Sequence, residues 1–122
     1  MKIYVASKWE EKEAAREFIY HIKSLGHEIV HDWTIQDDTK DEVELRNQAM
    51  DDIAGIKNSD IVILYLTKEN KYLAASPNRY VEAGIAIGAG IPVYIVGKPR
   101  DDFLFRRHPL VQIFEKKEDL PL

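Results

Sequence analysis

Residues Asp60-Ile61-Val62-Ile63-Leu64-Tyr65-Leu66 form an apolar and aromatic run broken by no polar side chain after Asp60. A strand with one wet face alternates in polarity, whereas a continuous run of this kind needs cover on both faces. The segment therefore predicts a central strand between two layers of helices. The rest of the chain agrees. Lys2 to Ala6 is a first strand, with the strand formers Ile3, Tyr4 and Val5. Glu10 to Leu25 is helical, with Ala14, Phe18, Ile22 and Leu25 at helical spacing and Gly26 as the stop. Glu28 to His31 is a short second strand. Trp33 to Lys40 is a polar, aspartate-rich loop, and Asp41 to Lys57 a second helix. After a loop over residues 68–75, Ser76-Pro77 opens a third helix, with Ser at the cap and Pro at the first helical position. That helix ends at Gly90. Pro92 to Val96 and Leu110 to Phe114 complete the set of strands.

Strands and helices alternate throughout, which specifies a parallel sheet with helices on both faces, an α/β fold of three layers. At 122 residues the chain suits one domain, 1–122, with a real core. In such sheets the ligand sits beyond the carboxyl ends of the strands. The loops expected there are Ser7–Glu10, His31–Asp41, Thr67–Asn78 and Gly97–Phe103.

The formal charge of -4 counts against a nucleic-acid groove binder, which carries a basic face. Without cysteine there is neither a disulfide framework nor thiolate chemistry. No apolar run reaches membrane-spanning length, and the first seven residues turn polar too soon for a signal peptide. The expected setting is the cytoplasm, with no membrane partner.

Two carboxylates stand out. Glu82 is the one charge in Val81-Glu82-Ala83-Gly84-Ile85-Ala86-Ile87-Gly88-Ala89-Gly90. A helix with so little polar face is expected to be buried, and a carboxylate there is desolvated, which disfavours its charged form. That makes Glu82 a candidate catalytic group, against the plainer reading of a rim residue reaching water. Asp52 falls on one stripe with Leu45, Ala49 and Ile56. A second stripe, Arg46, Ala49, Met50 and Ile53, fits the periodicity equally and leaves Asp52 at the edge. Asp60, at the amino end of the main strand, reads as a structural bond to the turn before it.

Other positions are candidates for binding. Ser7 lies at the carboxyl end of the first strand. Tyr4 and Trp9 bracket that end, one directed at the site and the other able to stack on a flat ligand, although isolated aromatics more often belong to core or rim. Ser76, Asn78 and Arg79 surround the start of the third helix, where free amide groups suit a phosphate; plain capping by Ser76 fits as well. His27 and His31, with Asp32, fall short of the three-ligand cluster a catalytic zinc needs. His21 and His108 have no evident partners. Neither a Walker nor a dinucleotide glycine signature is present.

In combination, Ile3-Tyr4-Val5-Ala6-Ser7-Lys8-Trp9, the block from Asp52 to Asp60, and Glu82-Ala83-Gly84 resemble the nucleoside 2-deoxyribosyltransferase superfamily, which includes nucleoside 5'-monophosphate N-glycosidases. The resemblance runs from Lys2 to about Val96. It implies a flavodoxin-like, doubly wound sheet of about five parallel strands. It also implies an enzyme that cleaves or exchanges the N-glycosidic bond of a nucleoside or nucleotide, needing no metal or other cofactor. Glu82 matches the nucleophile, Asp52 the carboxylate that holds the sugar, and Tyr4 the tyrosine bonded to the nucleophile. Trp9 falls where the transferases place an aromatic beside the base. The transferases carry an aspartate six residues before the glutamate; here that residue is Ser76. Ser76 and Asn78 lean toward the monophosphate branch, and no other acid is clearly placed to protonate the leaving base. The family further implies a homodimer or larger homo-oligomer, with the partner copy supplying the segment Phe103 to His108. Two alternatives stand beside this one: a nucleotide-binding module without turnover, and a glycohydrolase of the Toll/interleukin-receptor-like kind that cleaves NAD.

Overall fold

The computed structural model describes residues 1–67 and 77–122; the expected loop over 68–75 and Ser76 lie outside the described residues. Five strands form one parallel sheet: β1 (Lys2–Ala6), β2 (Glu28–Ile29), β3 (Ile61–Tyr65), β4 (Val93–Val96) and β5 (Val111–Phe114), in the order β2-β1-β3-β4-β5. Among the described residues three α-helices join the first four strands in turn, α1 (Lys12–Ser24), α2 (Glu42–Lys57) and α3 (Asn78–Gly88), while β4 runs to β5 through a short 3-10 turn, Leu104–Arg107. The order reverses direction between β1 and β3, and the carboxyl ends of these neighbouring strands open the crevice that binds ligand in folds of this kind.

Side-chain alternation along the strands sorts the core into two layers. Ile3 and Val5 of β1, with Ile61 and Ile63 of β3, pack on Phe18, Ile19 and Ile22 of α1. Tyr4 and Ala6, with Val62 and Leu64, face Ile56 of α2 and Ala83 and Ala86 of α3. β3 is thus covered on both sides, with Ile61 to Leu64 all buried. The second strand is shorter than its sequence indicates, ending at Ile29, so His27 and His31 do not share a strand face. His27 Nδ1 instead meets the Met1 amino group at 3.0 Å.

Local chemistry fixes the element ends. Asp41 caps α2 by accepting from the Glu44 amide at 3.2 Å, a common device for satisfying the free amides of a first turn. At the amino end of β3, Asp60 accepts from the Lys2 amide at 2.7 Å, a structural role as expected, but the partner is the neighbouring strand β1 and not the turn before it. α3 departs from expectation twice. Its N-cap position is Pro77, with no side-chain cap bond. It is also not buried all round: Arg79, Ala83 and Ala86 face the sheet, while Val81 is 59% exposed. Small residues make a helix apolar without obliging every face to be covered. On α2 the first stripe faces inward only at its end, where Asp52 is half-buried and Ile56 buried; Leu45 and Ala49 are exposed, as are Met50 and Ile53 of the second stripe, so neither row is buried along its length.

Candidate active site

α2 and α3 lie side by side over the carboxyl ends of β1 and β3, and this brings the two carboxylates together. Tyr4 projects from β1 toward them and is fully buried. Its hydroxyl donates a short hydrogen bond to Glu82 Oε2. Burial pushes the Tyr4 hydroxyl far above its ordinary range, and the charges of Glu82 and Asp52 push it further. Tyr4 therefore keeps its proton and acts only as a donor. Burial also pushes the Glu82 carboxyl up to about 8; the Tyr4 hydrogen bond opposes this and the Asp52 charge adds to it.

Asp52 is also raised by burial, and the neighbouring His31 pulls it back. His31 Nε2 lies 3.0 Å from Asp52 Oδ1 and 2.9 Å from Gln36 Nε2. The two side chains stand at ion-pair distance, an attraction that acts when the ring is protonated. Gly55 makes this approach possible. A Cβ there would sit 2.7 Å from His31 Cβ and 3.3 Å from the Tyr4 ring.

Two cavities meet at the carboxylates. One, of about 110 Å³, is polar and aromatic, lined by Ser7, Trp9, Glu10, Trp33 and Gln36 together with Asp52, Asn78 and Glu82. The second, of about 270 Å³, is a mainly apolar groove between α2 and α3 that includes Leu45, Ile53, Val81 and Ile85 and shares Asp52, Asn78 and Glu82. The tryptophans stand 6.2 Å apart with their planes 41° from parallel. Trp33 is locked by its indole N–H donating to the Val5 carbonyl at 2.6 Å. Lys12 covers one face of Trp9 at 4.6 Å.

Tyr4, Ser7, Trp9, Asp52, Asn78 and Glu82 thus gather at one place. The Ser7 hydroxyl donates inward to the Tyr65 carbonyl at 2.9 Å, which leaves its lone pairs toward the cavity. Arg79 lies elsewhere: it is 2% exposed, on the sheet-facing side of α3, and lines neither cavity. Its Nε has no hydrogen-bond partner among the described residues, and the guanidinium lies 5.1 Å from the Tyr80 ring. Sequence reasoning missed His31 and Gln36 as members of the site and Trp33 as a cavity wall. The signal available for them was position, since all three fall in the loop after the second strand, at the end of the sheet where ligands bind. No cluster of three or more His, Asp or Glu side chains arranged to hold a metal occurs among the described residues, and no helix among them is long and apolar enough to cross a membrane.

A sequence model of the family described as nucleoside 2-deoxyribosyltransferase matches residues 3–120. No curated protein sequence matches the chain. Among solved structures, a CMP N-glycosidase of Clostridium botulinum aligns with a TM-score of 0.62 at 17% identity, covering 97% of this chain and 92% of that one. A 2-deoxyribosyltransferase of Bacillus psychrosaccharolyticus aligns with a TM-score of 0.65 at 18% identity, covering 83% of this chain and 77% of that one. Both share the fold.

Proposed function

Because the chain belongs to the nucleoside 2-deoxyribosyltransferase family, whose enzymes act at the N-glycosidic bond, we propose that it cleaves or transfers at that bond in a nucleoside or nucleoside 5'-monophosphate, with Glu82 as the nucleophile. The observation that carries this reading is the Tyr4–Glu82 hydrogen bond beside Asp52, at the junction of two cavities. Tyr4 engages Oε2 and leaves Oε1 to attack the anomeric carbon. The C–N bond breaks with its electron pair going to the departing base, and a glycosyl-enzyme ester forms. Water or a second base then takes the sugar from Glu82, so that one hard substitution becomes two easier ones. Asp52, steadied by His31, is set to hold the sugar hydroxyls, and Trp9 offers a flat face for the base.

A 5'-phosphate fits the start of α3. The first-turn amides there have no side-chain cap, and Asn78 stands at the cavity wall. Ser76 joins this group by its place in the chain. The enzyme works in the cytoplasm, a reducing compartment that a cysteine-free chain suits, and as a homodimer or larger assembly.

Incubation with nucleosides, their 5'-monophosphates and NAD, with and without a free acceptor base, reads the activity by chromatography of released base. Glu82→Ala should lose on the order of 10³-fold or more in rate on the best substrate while remaining folded. A Glu82→Ala protein that keeps most of its activity rules out the nucleophile assignment.

A further inference from the structure

On the reading that this cavity receives the base of a nucleoside or nucleotide, we propose that Glu10 is a specificity-determining residue that selects bases bearing an exocyclic amine, cytosine or adenine, over their oxo counterparts.

The argument is one of elimination along the polar cavity. Trp33 spends its indole N–H on the Val5 carbonyl, and Ser7 spends its hydroxyl proton on the Tyr65 carbonyl. Asn78 stands with Asp52 and Glu82 on the wall shared with the apolar groove, where the sugar must lie for Glu82 to reach it. Among the described residues, that leaves Glu10 and Gln36 as the carboxyl and amide groups lining the part of the cavity beside Trp9. Gln36 contacts His31 through one end of its amide, and an amide offers either a donor or an acceptor. It does not choose between bases. Glu10 forms no hydrogen bond or ion pair among the described residues, and an ionised carboxylate is an acceptor only. A base presenting an amine gives it a donor, which is how carboxylates read cytosine N4. A base presenting a carbonyl oxygen at the same position sets acceptor against acceptor, and the exposed Glu10 carboxylate then turns to water instead.

Matched pairs differing only in that group test the idea: cytidine and uridine 5'-monophosphates, adenosine and inosine 5'-monophosphates, and the corresponding 2'-deoxy and unphosphorylated forms. In kcat/KM for base release, the amino member of each pair should be favoured by about tenfold or more. Glu10→Gln, which can donate to a carbonyl, should bring the ratio to about threefold or less, chiefly by raising the rate on the oxo base. Calorimetric binding of the same pairs to the Glu82→Ala protein reads the selection without turnover. Absence of base release from every compound therefore counts against the glycosidic reading, while Glu10 is still judged by the binding ratio. A wild-type preference for oxo bases, or a ratio that Glu10→Gln leaves unchanged, overturns the proposal.

Discussion

At the scale of single residues, the decisive fact is that Glu82 is held near its own titration midpoint at slightly alkaline pH. Burial raises it to about 8 and the Tyr4 hydroxyl keeps it from going higher. A nucleophilic carboxylate must be ionised, so kcat/KM should rise with pH and level off above an inflection near 8. Tyr4→Phe removes the one interaction that favours the ionised form, so its inflection should move upward and its rate at pH 7 should fall. A pH–rate profile of both proteins reads this; an unmoved inflection in Tyr4→Phe would mean that the hydrogen bond does not tune the nucleophile. The same shift bears on stability, with a definite sign. Folded Glu82 binds its proton more tightly than the unfolded chain does, so its contribution is fully present below about pH 4.5 and is lost as pH rises to about 8. Urea unfolding of wild type should weaken across that window, and Glu82→Gln should flatten the trend. Glu82 was legible in the sequence because a charge in an apolar run is an anomaly wherever it falls. His31 was not, because its meaning comes from Asp52, twenty-one positions further on, and only the packing of α2 brings them to 3.0 Å.

At the scale of elements, α2 sets the geometry of the site. Only Gly55 and Ile56 of this helix are buried, so its seating depends on a small contact surface. Gly55→Ala places a methyl group against the Cβ of His31 and the ring of Tyr4, neither of which is the far end of a flexible chain. Overpacking of this kind costs about 1–3 kcal/mol, and relief requires α2 to back away from β1, drawing Asp52 with it. The expected result is a lower denaturation midpoint together with a larger loss of activity than of stability. Chemical denaturation and kinetics on one preparation decide it, since intact activity in a destabilised variant would separate the helix seat from the site. The elements themselves were largely legible. The alternation of strand and helix patterns announced the parallel sheet, and the apolar run of β3 identified its doubly covered centre. What periodicity did not resolve was which stripe of α2 faces inward, because two rows of apolar residues competed on one short helix. Nor did it reveal that α3 is open on one side, because glycine and alanine look apolar without demanding burial.

At the scale of the whole molecule, Ile53 of α2 and Val81 of α3 are exposed large apolar side chains in the open groove, Val43 and Met50 are exposed elsewhere on α2, and Leu104 and Phe105 are exposed on the turn before β5. Surfaces of this kind mark places of association. Light scattering at micromolar concentration should report a species of at least two chains, and Met50→Lys or Phe105→Lys should shift it toward the monomer; a wild-type monomer with full activity excludes the assembly. The register of the sheet carries a consequence for how the chain is made. Ile3 pairs with Ile61 and Ala6 with Leu64, so the centre of the fold joins segments fifty-eight residues apart. During synthesis the first strand emerges early and must wait for the third before it gains its central neighbour, with Ile3, Tyr4 and Val5 meanwhile unshielded. Loop closure over that span is slow, and exposed strand segments are prone to wrong pairings. Asp60, which receives the Lys2 amide, stands at the first point where the two strands meet. The carboxylate at the foot of β3 thus clasps the two strands in register where they meet, and Asp60→Ala should lower the yield of soluble protein on refolding from urea relative to wild type.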